Sequence, residues 1–380
     1  MIAKEEIRLF DQCFNTLSPE NKKVQRKQYL PEGKIPVIDQ GEDFIGGYTN
    51  DHNKQQDADL PVILFGDHTR RFKYVDFPFA VGADGIKILK PIDKTISDKF
   101  AYYQLTQKEL PNKGYSRHYQ FLRKVDFWVP QKRGVQEKIV ETIETQFTRL
   151  DAAIKSFKAI KVKLGLYRKS VLRAAFEIED TSVASIEEIS NFIGSGITPK
   201  GSKQHYRTEG IPFIRSQNIY PFKFVTDGLV YVNSSLHEGM RRTHTMKGDV
   251  LLNITGASIG RCAVIPDSLG QANVNQHVCI IRTKENTLPQ YLCAFLNSPL
   301  GQNQIMTTQG GVTRQGLNYQ QIRKLKLPLL SVSKQKKIID EIESRFSVID
   351  KVREVVDASL GKAEKLRKSI LKSAFEGKLI

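Results

Sequence analysis

Gln136-Glu-Lys-Ile-Val-Glu-Thr-Ile-Glu-Thr-Gln-Phe147 is answered by Gln335-Lys-Lys-Ile-Ile-Asp-Glu-Ile-Glu-Ser-Arg-Phe346, at an offset of 199 residues. The match runs without a gap to Arg168-Lys-Ser-Val-Leu-Arg-Ala-Ala-Phe-Glu177 against Arg367-Lys-Ser-Ile-Leu-Lys-Ser-Ala-Phe-Glu376. Upstream, Tyr119-Gln-Phe-Leu-Arg-Lys-Val125 pairs with Tyr319-Gln-Gln-Ile-Arg-Lys-Leu325, and Glu32-Gly-Lys-Ile-Pro-Val-Ile38 with Glu209-Gly-Ile-Pro-Phe-Ile214. The stretches between these matches diverge in sequence and in length. An internal repeat of this kind decides the architecture before any local propensity does. The plan is variable, constant, variable, constant.

The constant parts read as long helices. Apolar residues recur every seventh position at Ile143, Leu150, Phe157, Leu164 and Val171, and at Ile342, Ile349, Val356, Ala363 and Ile370. Phe147, Ile154 and Ala175, with Phe346, Leu360 and Ala374, fill much of a second row four residues on. Alternating three- and four-residue spacing is a coiled-coil seam. No proline falls between Gln131 and Thr198 or after Pro328, and each helix begins just past a proline, Pro130 or Pro328. At about 1.5 Å per residue, some forty residues span roughly 60 Å. A helix of that length with one apolar seam needs a partner, and the other copy is at hand. The seam is interrupted by Lys161, Arg168, Arg353 and Arg367, whose stems are expected to lie along it with their charges in water.

The variable parts read as mixed α/β. Leu60–Phe65, Ile86–Leu89, Asp249–Asn253 and Val278–Arg282 are strand candidates, punctuated by Gly, Pro and Asn. Asp98–Thr106 and Leu288–Asn297 are helix candidates. The predicted class is α+β: two mixed α/β domains, 1–130 and 178–333, separated by two long antiparallel coiled-coil helices, 131–177 and 334–380, in a pseudo-twofold internal repeat.

The composition narrows the function. The 380 residues carry 58 basic and 41 acidic side chains, a net charge of +17. Hydrophobic content of 40% is ample for globular cores. No apolar run reaches the ~18–20 residues of a membrane helix, and the first residues do not resemble a secretory leader. Four scattered cysteines, Cys13, Cys262, Cys279 and Cys293, form no C-x-x-C pair and no zinc spacing. A reducing cytoplasm and a polyanionic partner, chiefly nucleic acid, are expected. The charge is spread: residues 1–130 hold 20 basic against 18 acidic side chains, and residues 178–334 hold 16 against 10. A molecule laid along DNA fits this distribution better than one basic arm does.

The ordered set of motifs resembles the specificity subunit of type I DNA restriction–modification systems over the whole chain. The end, Leu366-Arg-Lys-Ser-Ile-Leu-Lys-Ser-Ala-Phe-Glu-Gly-Lys-Leu379, is similar to that family's ending, with a weaker echo in Tyr167–Glu177. Ile35-Pro-Val-Ile-Asp-Gln-Gly41, Leu64-Phe-Gly-Asp-His-Thr69 and Val81-Gly-Ala-Asp-Gly85 resemble segments of its target recognition domains. So do Gly248-Asp-Val-Leu-Leu-Asn-Ile-Thr-Gly-Ala-Ser-Ile-Gly260 and Asn273-Val-Asn-Gln-His277. The resemblance implies two target recognition domains, each reading half of a bipartite double-stranded DNA site. It implies helices that separate the domains and dock two methyltransferase subunits. Restriction subunits join in the full complex, and S-adenosylmethionine is bound in the methyltransferase partner, not in this chain.

Chemistry within the chain is not expected. The Asn/Asp-Pro-Pro-Phe/Tyr loop of an adenine methyltransferase is missing, because no two prolines are adjacent. Gly256-Ala-Ser-Ile-Gly260-Arg has neither the spacing nor the lysine of a phosphate-binding loop, and Gly194-Ser-Gly196 lacks the third glycine of a dinucleotide fingerprint. Pro266-Asp267 has no nuclease partner nearby, and Asp67-His68 is an ordinary loop neighbour pair. No metal site and no catalytic residue is assigned. Two rivals stay open: the DNA-reading part of a split or fused restriction enzyme, and a coiled-coil scaffold for proteins.

Base edges are read by Arg, Lys, Asn and Gln, whereas phosphates need only donors and positive charge. In the first domain, Lys22, Lys23, Arg26 and Lys27 precede the Ile35–Ile38 strand, and Gln40, Tyr48 and Asn50 follow it. His68, Thr69, Arg70 and Arg71 form a second polar loop, and Lys113, Tyr115 and Arg117 a third. In the second domain, Arg215, Gln217 and Asn218 take the place of Asp39-Gln40 after the matching strand. Lys203, the pair Arg241 and Arg242, and the loop with Gln309, Thr313, Arg314 and Gln315 complete the DNA-binding candidates. Gln40 and Arg70 are the expected base readers of the first domain.

Overall fold

A computed structural model describes residues 7–19, 22–82, 85–114, 116–198, 201, 204–308 and 316–379. The chain forms two compact units, 1–157 with 358–380, and 158–357. Each long helix is therefore shared, part of it packing in either unit.

In the first unit, β1 (Ile7–Leu9), α1 (Phe10–Cys13) and β2 (Phe14–Leu17) lead to β3 (Ile35–Ile38) and β4 (Gly47–Thr49). Then follow β5 (Val62–Gly66), β6 (Phe72–Val75), β7 (Ala80–Val81), β8 (Ile86–Pro91), α2 (Asp98–Gln107), α3 (Tyr119–Leu122), β9 (Asp126–Trp128) and the long α4 (Arg133–Phe176). One antiparallel sheet has the order β2-β8-β5-β6; a second, β4-β3-β7, holds a parallel β3–β7 pair; β1 pairs with β9.

The second unit repeats this plan. Its elements are β10 (Val183–Ser185), α5 (Ile186–Ile189), β11 (Ser190–Ser195), β12 (Ile211–Ile214), β13 (Ile219–Tyr220), β14 (Lys223–Phe224), β15 (Val230–Val232) and α6 (Ser234–Gly239). After them come β16 (Val250–Asn253), β17 (Cys262–Val264), β18 (Asn273–Val274), β19 (Val278–Thr283), α7 (Pro289–Asn297), α8 (Pro299–Thr308), α9 (Tyr319–Arg323), β20 (Lys326–Pro328) and the long α10 (Val332–Phe375). The orders β11-β19-β16-β17, β15-β12-β18 and β10-β20 reproduce those of the first unit, and the β13–β14 hairpin is an addition.

The central strands show why their apolar runs are continuous. Ile63 and Phe65 of β5 enter one core with Phe10, Phe100 and Phe127, while Val62 and Leu64 enter another with Ile38 and Val81. In the second unit Val250 and Leu252 of β16 join Tyr291 and Phe295, and Leu251 turns to Ile214 and Val274. A strand covered on both faces has no polar side to show.

The helix seam is buried as its spacing predicts. Ile139, Ile143, Phe147 and Leu150 meet Ala363, Ile370, Leu371 and Ala374 in the first core, and Val171, Leu172 and Phe176 meet Ile339, Ile342 and Phe346 in the second. In the second unit Lys161 pairs with Asp357 and Arg168 with Asp350, both at 2.7 Å, so the helices run antiparallel there. Lys161, Arg168 and Arg367 do more than trail their stems to water, which corrects the sequence reading at these three positions, whereas Arg353 is exposed as expected. Arg168 lies 3.8 Å from the Phe346 ring centre while it holds Asp350. At the repeat-related positions of the first unit, Arg367 lies 4.2 Å from the Phe147 ring centre and binds Asp151.

The first letter of each repeat has a structural cause. Gln136 and Gln335 are 1% and 0% exposed. Gln136 accepts from the Ser97 N–H at 2.9 Å and donates to the carbonyls of Thr95 and Pro130 at 3.0 and 3.3 Å. Gln335 accepts from the Leu288 N–H at 2.8 Å and donates to Asn286 at 2.8 Å and Leu330 at 2.9 Å. Each glutamine ties the start of its long helix to the start of α2 or α7. An unpaired buried polar group costs about 1–3 kcal/mol. Gln335→Ala strands one donor and two acceptors, and a loss of about 3 kcal/mol is expected in urea unfolding, against little change for an exposed control such as Lys334→Ala.

Candidate nucleic-acid interface

In the first unit the candidates fall into two groups. Gln40, Asp67–Arg71 and His118, which closes the third polar loop, converge. The β5–β6 turn is held inward by Asp67, which is 4% exposed. Its carbonyl accepts from the backbone N–H and the Nδ1–H of His118, both at 2.9 Å, and its Oδ1 accepts from the Tyr119 N–H at 2.6 Å. Asp67 therefore staples the third polar loop to the second. Gln40 accepts from the His68 N–H at 3.2 Å and links the first. At Gly85, with φ of +85°, an added Cβ would lie 2.8 Å from His68, so this close approach requires glycine.

Lys73 stiffens the neighbouring 39–46 segment from below. Its ammonium donates to the carbonyls of Asp43 and Phe44 at 2.5 and 3.3 Å and lies 3.8 Å from Asp39. Burial holds its pKa below the usual lysine value, and Asp39 partly offsets that. Nothing in the sequence marked this lysine, because its strand position reads as ordinary polar alternation.

Placed on this frame, Thr69, Arg71, Lys113 and Arg117 are exposed. Arg70, at φ +60°, is half-buried and donates to the Leu110 carbonyl at 3.2 Å. Gln40 is likewise engaged by the loops it joins, so both expected base readers also act as struts. The second group lies along β3 and β4. Arg26 and Lys27 are exposed on a short helical turn, and Lys22 is paired with Asp57. The Lys23 backbone bridges to Val81 and that of Tyr48 to Leu30, and exposed Asn50 accepts from the Lys34 N–H at 3.0 Å. Tyr115, Lys203, Gln309, Thr313, Arg314 and Gln315 lie outside the described residues.

In the second unit, Arg215 donates to the Gly228 carbonyl at 2.6 Å with its guanidinium 5.3 Å from the Tyr206 ring centre. Gln217 is exposed and reaches the same carbonyl at 3.4 Å. Asn218 is corrected. It is 0% exposed, accepts from the Arg215 N–H at 3.0 Å, and donates to the carbonyls of Val225 and Asp227 at 3.0 and 3.3 Å. It shapes the loop from inside and offers no edge to a ligand. Arg241 and Arg242 are exposed, with Arg241 paired to Glu238 at 2.6 Å.

This rim includes residues that sequence reasoning left out. Asn253 donates to the Ser216 carbonyl at 2.9 Å and anchors the 215–218 turn. Thr255 and His277 share a 2.6 Å hydrogen bond, exposed Gln276 accepts from the Thr198 N–H at 3.1 Å, and Arg261 sits 5.0 Å from the Tyr220 ring centre. The family-like strings Gly248–Gly260 and Asn273–His277 were the available signal, since they flank this rim. Among the described residues, no group of three or more His, Cys, Asp or Glu could hold a metal ion, and no helix is long and apolar enough to cross a membrane.

Comparison with known proteins points one way. Residues 178–351 match the family described as type I restriction modification DNA specificity domain. The chain is 25% identical over 350 residues to the EcoR124I/EcoR124II specificity subunit of Escherichia coli, covering 86% of this chain and 82% of that one. It is 24% identical over 269 residues to the EcoBI specificity subunit of Escherichia coli, covering 64% of this chain and 56% of that one. A chain from a structure of a type I restriction–modification complex shares the fold at a TM-score of 0.69 with 12% identity, covering 98% of this chain and 99% of the other. The HsdS subunit of Thermoanaerobacter tengcongensis does so at 0.51 with 13% identity, covering 99% and 98%.

The inward-facing asparagine yields a test that separates shape from readout. Asn218→Ala removes three hydrogen bonds at a buried site, and about 2–3 kcal/mol of stability should be lost. The base sequence recognised by whatever fraction stays folded should not change. A new methylation pattern at undiminished thermal stability would place Asn218 against the DNA after all.

Proposed function

We propose a mode of action that starts from the family: the chain belongs among the specificity subunits of type I restriction–modification systems. Its function is to supply DNA sequence specificity. Each unit reads one half of a bipartite site in double-stranded DNA, through loops at the rim of its sheets. The long helices hold the two readers and dock two methyltransferase subunits. Restriction subunits join in the full complex. S-adenosylmethionine and the methyl transfer belong to the methyltransferase partner, and this chain binds without reacting. The cytoplasm, where the DNA is, is its place of work.

The observation that carries this reading is the repeated strand order with unlike rims. Both units keep β3 and β12, the buried glutamine clamp and the helix seam in the same positions. The turn after β3 is Asp39-Gln40, and the turn after β12 presents Arg215, Ser216 and Gln217. A constant frame with a different donor and acceptor set at one place is what two different half-sites require.

Modularity follows. Exchange of residues 1–130 for the corresponding part of another specificity subunit should change one half-site only, provided the donor keeps apolar residues facing Ile139, Ile143 and Phe147. Sequencing of methylated adenines in cells carrying the hybrid and its methyltransferase reads the result. A simultaneous change in both half-sites would end the idea of independent readers. The purified chain alone should neither methylate nor cleave DNA, and activity from partner-free protein would overturn the division of labour.

A further inference from the structure

A groove of about 1100 Å³ in the first unit runs from the 69–71 turn, past the 106–112 segment that follows α2, to the last turns of α10. Five basic side chains line it, Arg70, Arg71, Lys108, Lys368 and Lys372, against one acidic, Glu109. Few of these charges are answered. Arg71 lies 3.7 Å from the exposed Glu42, and Lys372 lies 3.8 Å from Glu376. Among the described residues, neither Lys108 nor Lys368 has an ion-pair partner. Burial pushes the Lys108 ammonium below the ordinary lysine pKa, and Asp126 offsets this only in part. A cation withdrawn from water among like charges gains most from an arriving anion.

The size and lining select the kind of anion. Small-molecule sites are mostly apolar and hold about 300–1,000 Å³. This groove is larger and is walled by charged and polar groups, which suits a stretch of a polyanion.

The repeat adds an independent argument. Arg367-Lys-Ser-Ile-Leu-Lys372 matches Arg168-Lys-Ser-Val-Leu-Arg173. In both copies the first arginine stacks on a phenylalanine and binds an aspartate, and the two apolar residues are buried. Packing accounts for those positions. It does not account for Lys368 or Lys169, exposed and basic in both copies, whereas Lys372 and Arg173 each reach the glutamate one turn on, Glu376 at 3.8 Å and Glu177 at 2.7 Å. A repeated exposed cation that the fold does not use, with a second one turn on whose pair is long in the first unit, marks a contact surface, and there both line the same groove as the β5–β6 turn.

We propose that this groove binds the phosphodiester backbone of duplex DNA, with Lys368 and Lys372 of the constant helix as phosphate contacts beside the loop that carries Arg70 and Arg71. The inference rests on the DNA-binding reading above and extends the contact surface from the recognition loops onto the helix that frames them. The two lysines carry no sequence information. They add affinity equally for any sequence.

The test is the salt dependence of binding by the full chain to a labelled duplex of arbitrary sequence, read by fluorescence anisotropy over a range of KCl. Each phosphate contact contributes about 0.9 to the slope of log affinity against log salt. Lys368→Gln with Lys372→Gln should make the slope shallower by about 1.8. Glutamine has nearly the helix propensity of lysine, and an unchanged circular dichroism spectrum confirms that the variant folds. The control is Lys362→Gln with Lys365→Gln, exposed on the same helix outside the groove, which should leave the slope nearly unchanged. Equal flattening by both double variants would mean diffuse helix charge and overturn the proposal. An unchanged slope with loss of methyltransferase assembly would overturn it in favour of an acidic protein surface. If the unmodified chain binds duplex with no salt dependence, the DNA-binding reading itself fails.

Discussion

The arrangement depends on one contact made twice: an arginine that stacks on a phenylalanine of the opposite helix and binds an aspartate one turn further along. Arg168 meets Phe346 and Asp350 in one unit, and Arg367 meets Phe147 and Asp151 in the other. A heptad seam alone permits slippage by whole repeats and fixes neither register nor direction. A planar guanidinium that must satisfy a ring and a carboxylate together tolerates one register, and a lysine could not do both. The energy is modest. Exposed ion pairs contribute about 0–1 kcal/mol and exposed cation–π contacts about 0.5–1 kcal/mol. The contact selects among arrangements that apolar burial already stabilises.

From the locked helices, order passes outward through a short chain of polar groups. Gln136 and Gln335 bind the helix starts to the segments that open α2 and α7. Tyr119 and Tyr319, also matched in the repeat, reach back to Thr16 and Ser195 on the edge strands β2 and β11. Asp67, adjacent to the Tyr119 backbone, then positions the rim loops of the first unit. The buried polar residues thus form the connections, and the apolar residues form the bulk. Rim loops anchored at both ends in this way can change their tips without disturbing the frame, which lets one architecture serve different sequences.

Much of this was legible because repeats and periodicity leave marks that survive divergence. The strands Val62–Gly66 and Val250–Asn253 and the helices 98–107 and 289–297 lie within a few residues of their predicted places. The pairing of β1 with β9 was not legible, because three-residue strands carry no period. Nor was the orientation of loop polar groups. Asn218 and Gln217 are adjacent, equally suited to reading bases, and one is buried while the other is exposed. Asp67-His68 reads as an ordinary loop neighbour pair, yet the Asp67 carboxylate accepts from the Tyr119 N–H while its backbone carbonyl accepts from the His118 N–H. A hydrogen-bonding side chain has the same letter whether its partner is a carbonyl of the protein or an edge of a ligand. Only tertiary structure decides between them.

Charge shows the same division between frame and function. Residues 1–130 are nearly neutral, and several of their acids are occupied locally: Asp57 by Lys22, Asp11 by Arg123, Asp98 by Lys90. A polyanion approaching such a surface meets a field set by the few cations left over, not by the net charge. Exposed cations of this kind include Arg26, Lys27, Lys113 and Arg117, with more on the constant helices. The C-terminal stretch of α4 makes the point most sharply: between Asp151 and Glu177 it carries seven basic residues and no acidic one. Lys161 and Arg168 are tied to the partner helix and Arg173 to Glu177, whereas Lys155, Lys158, Lys163 and Lys169 face outward. Exposed positive charge is thus written into the part that repeats, and the unlike polar rims into the part that varies.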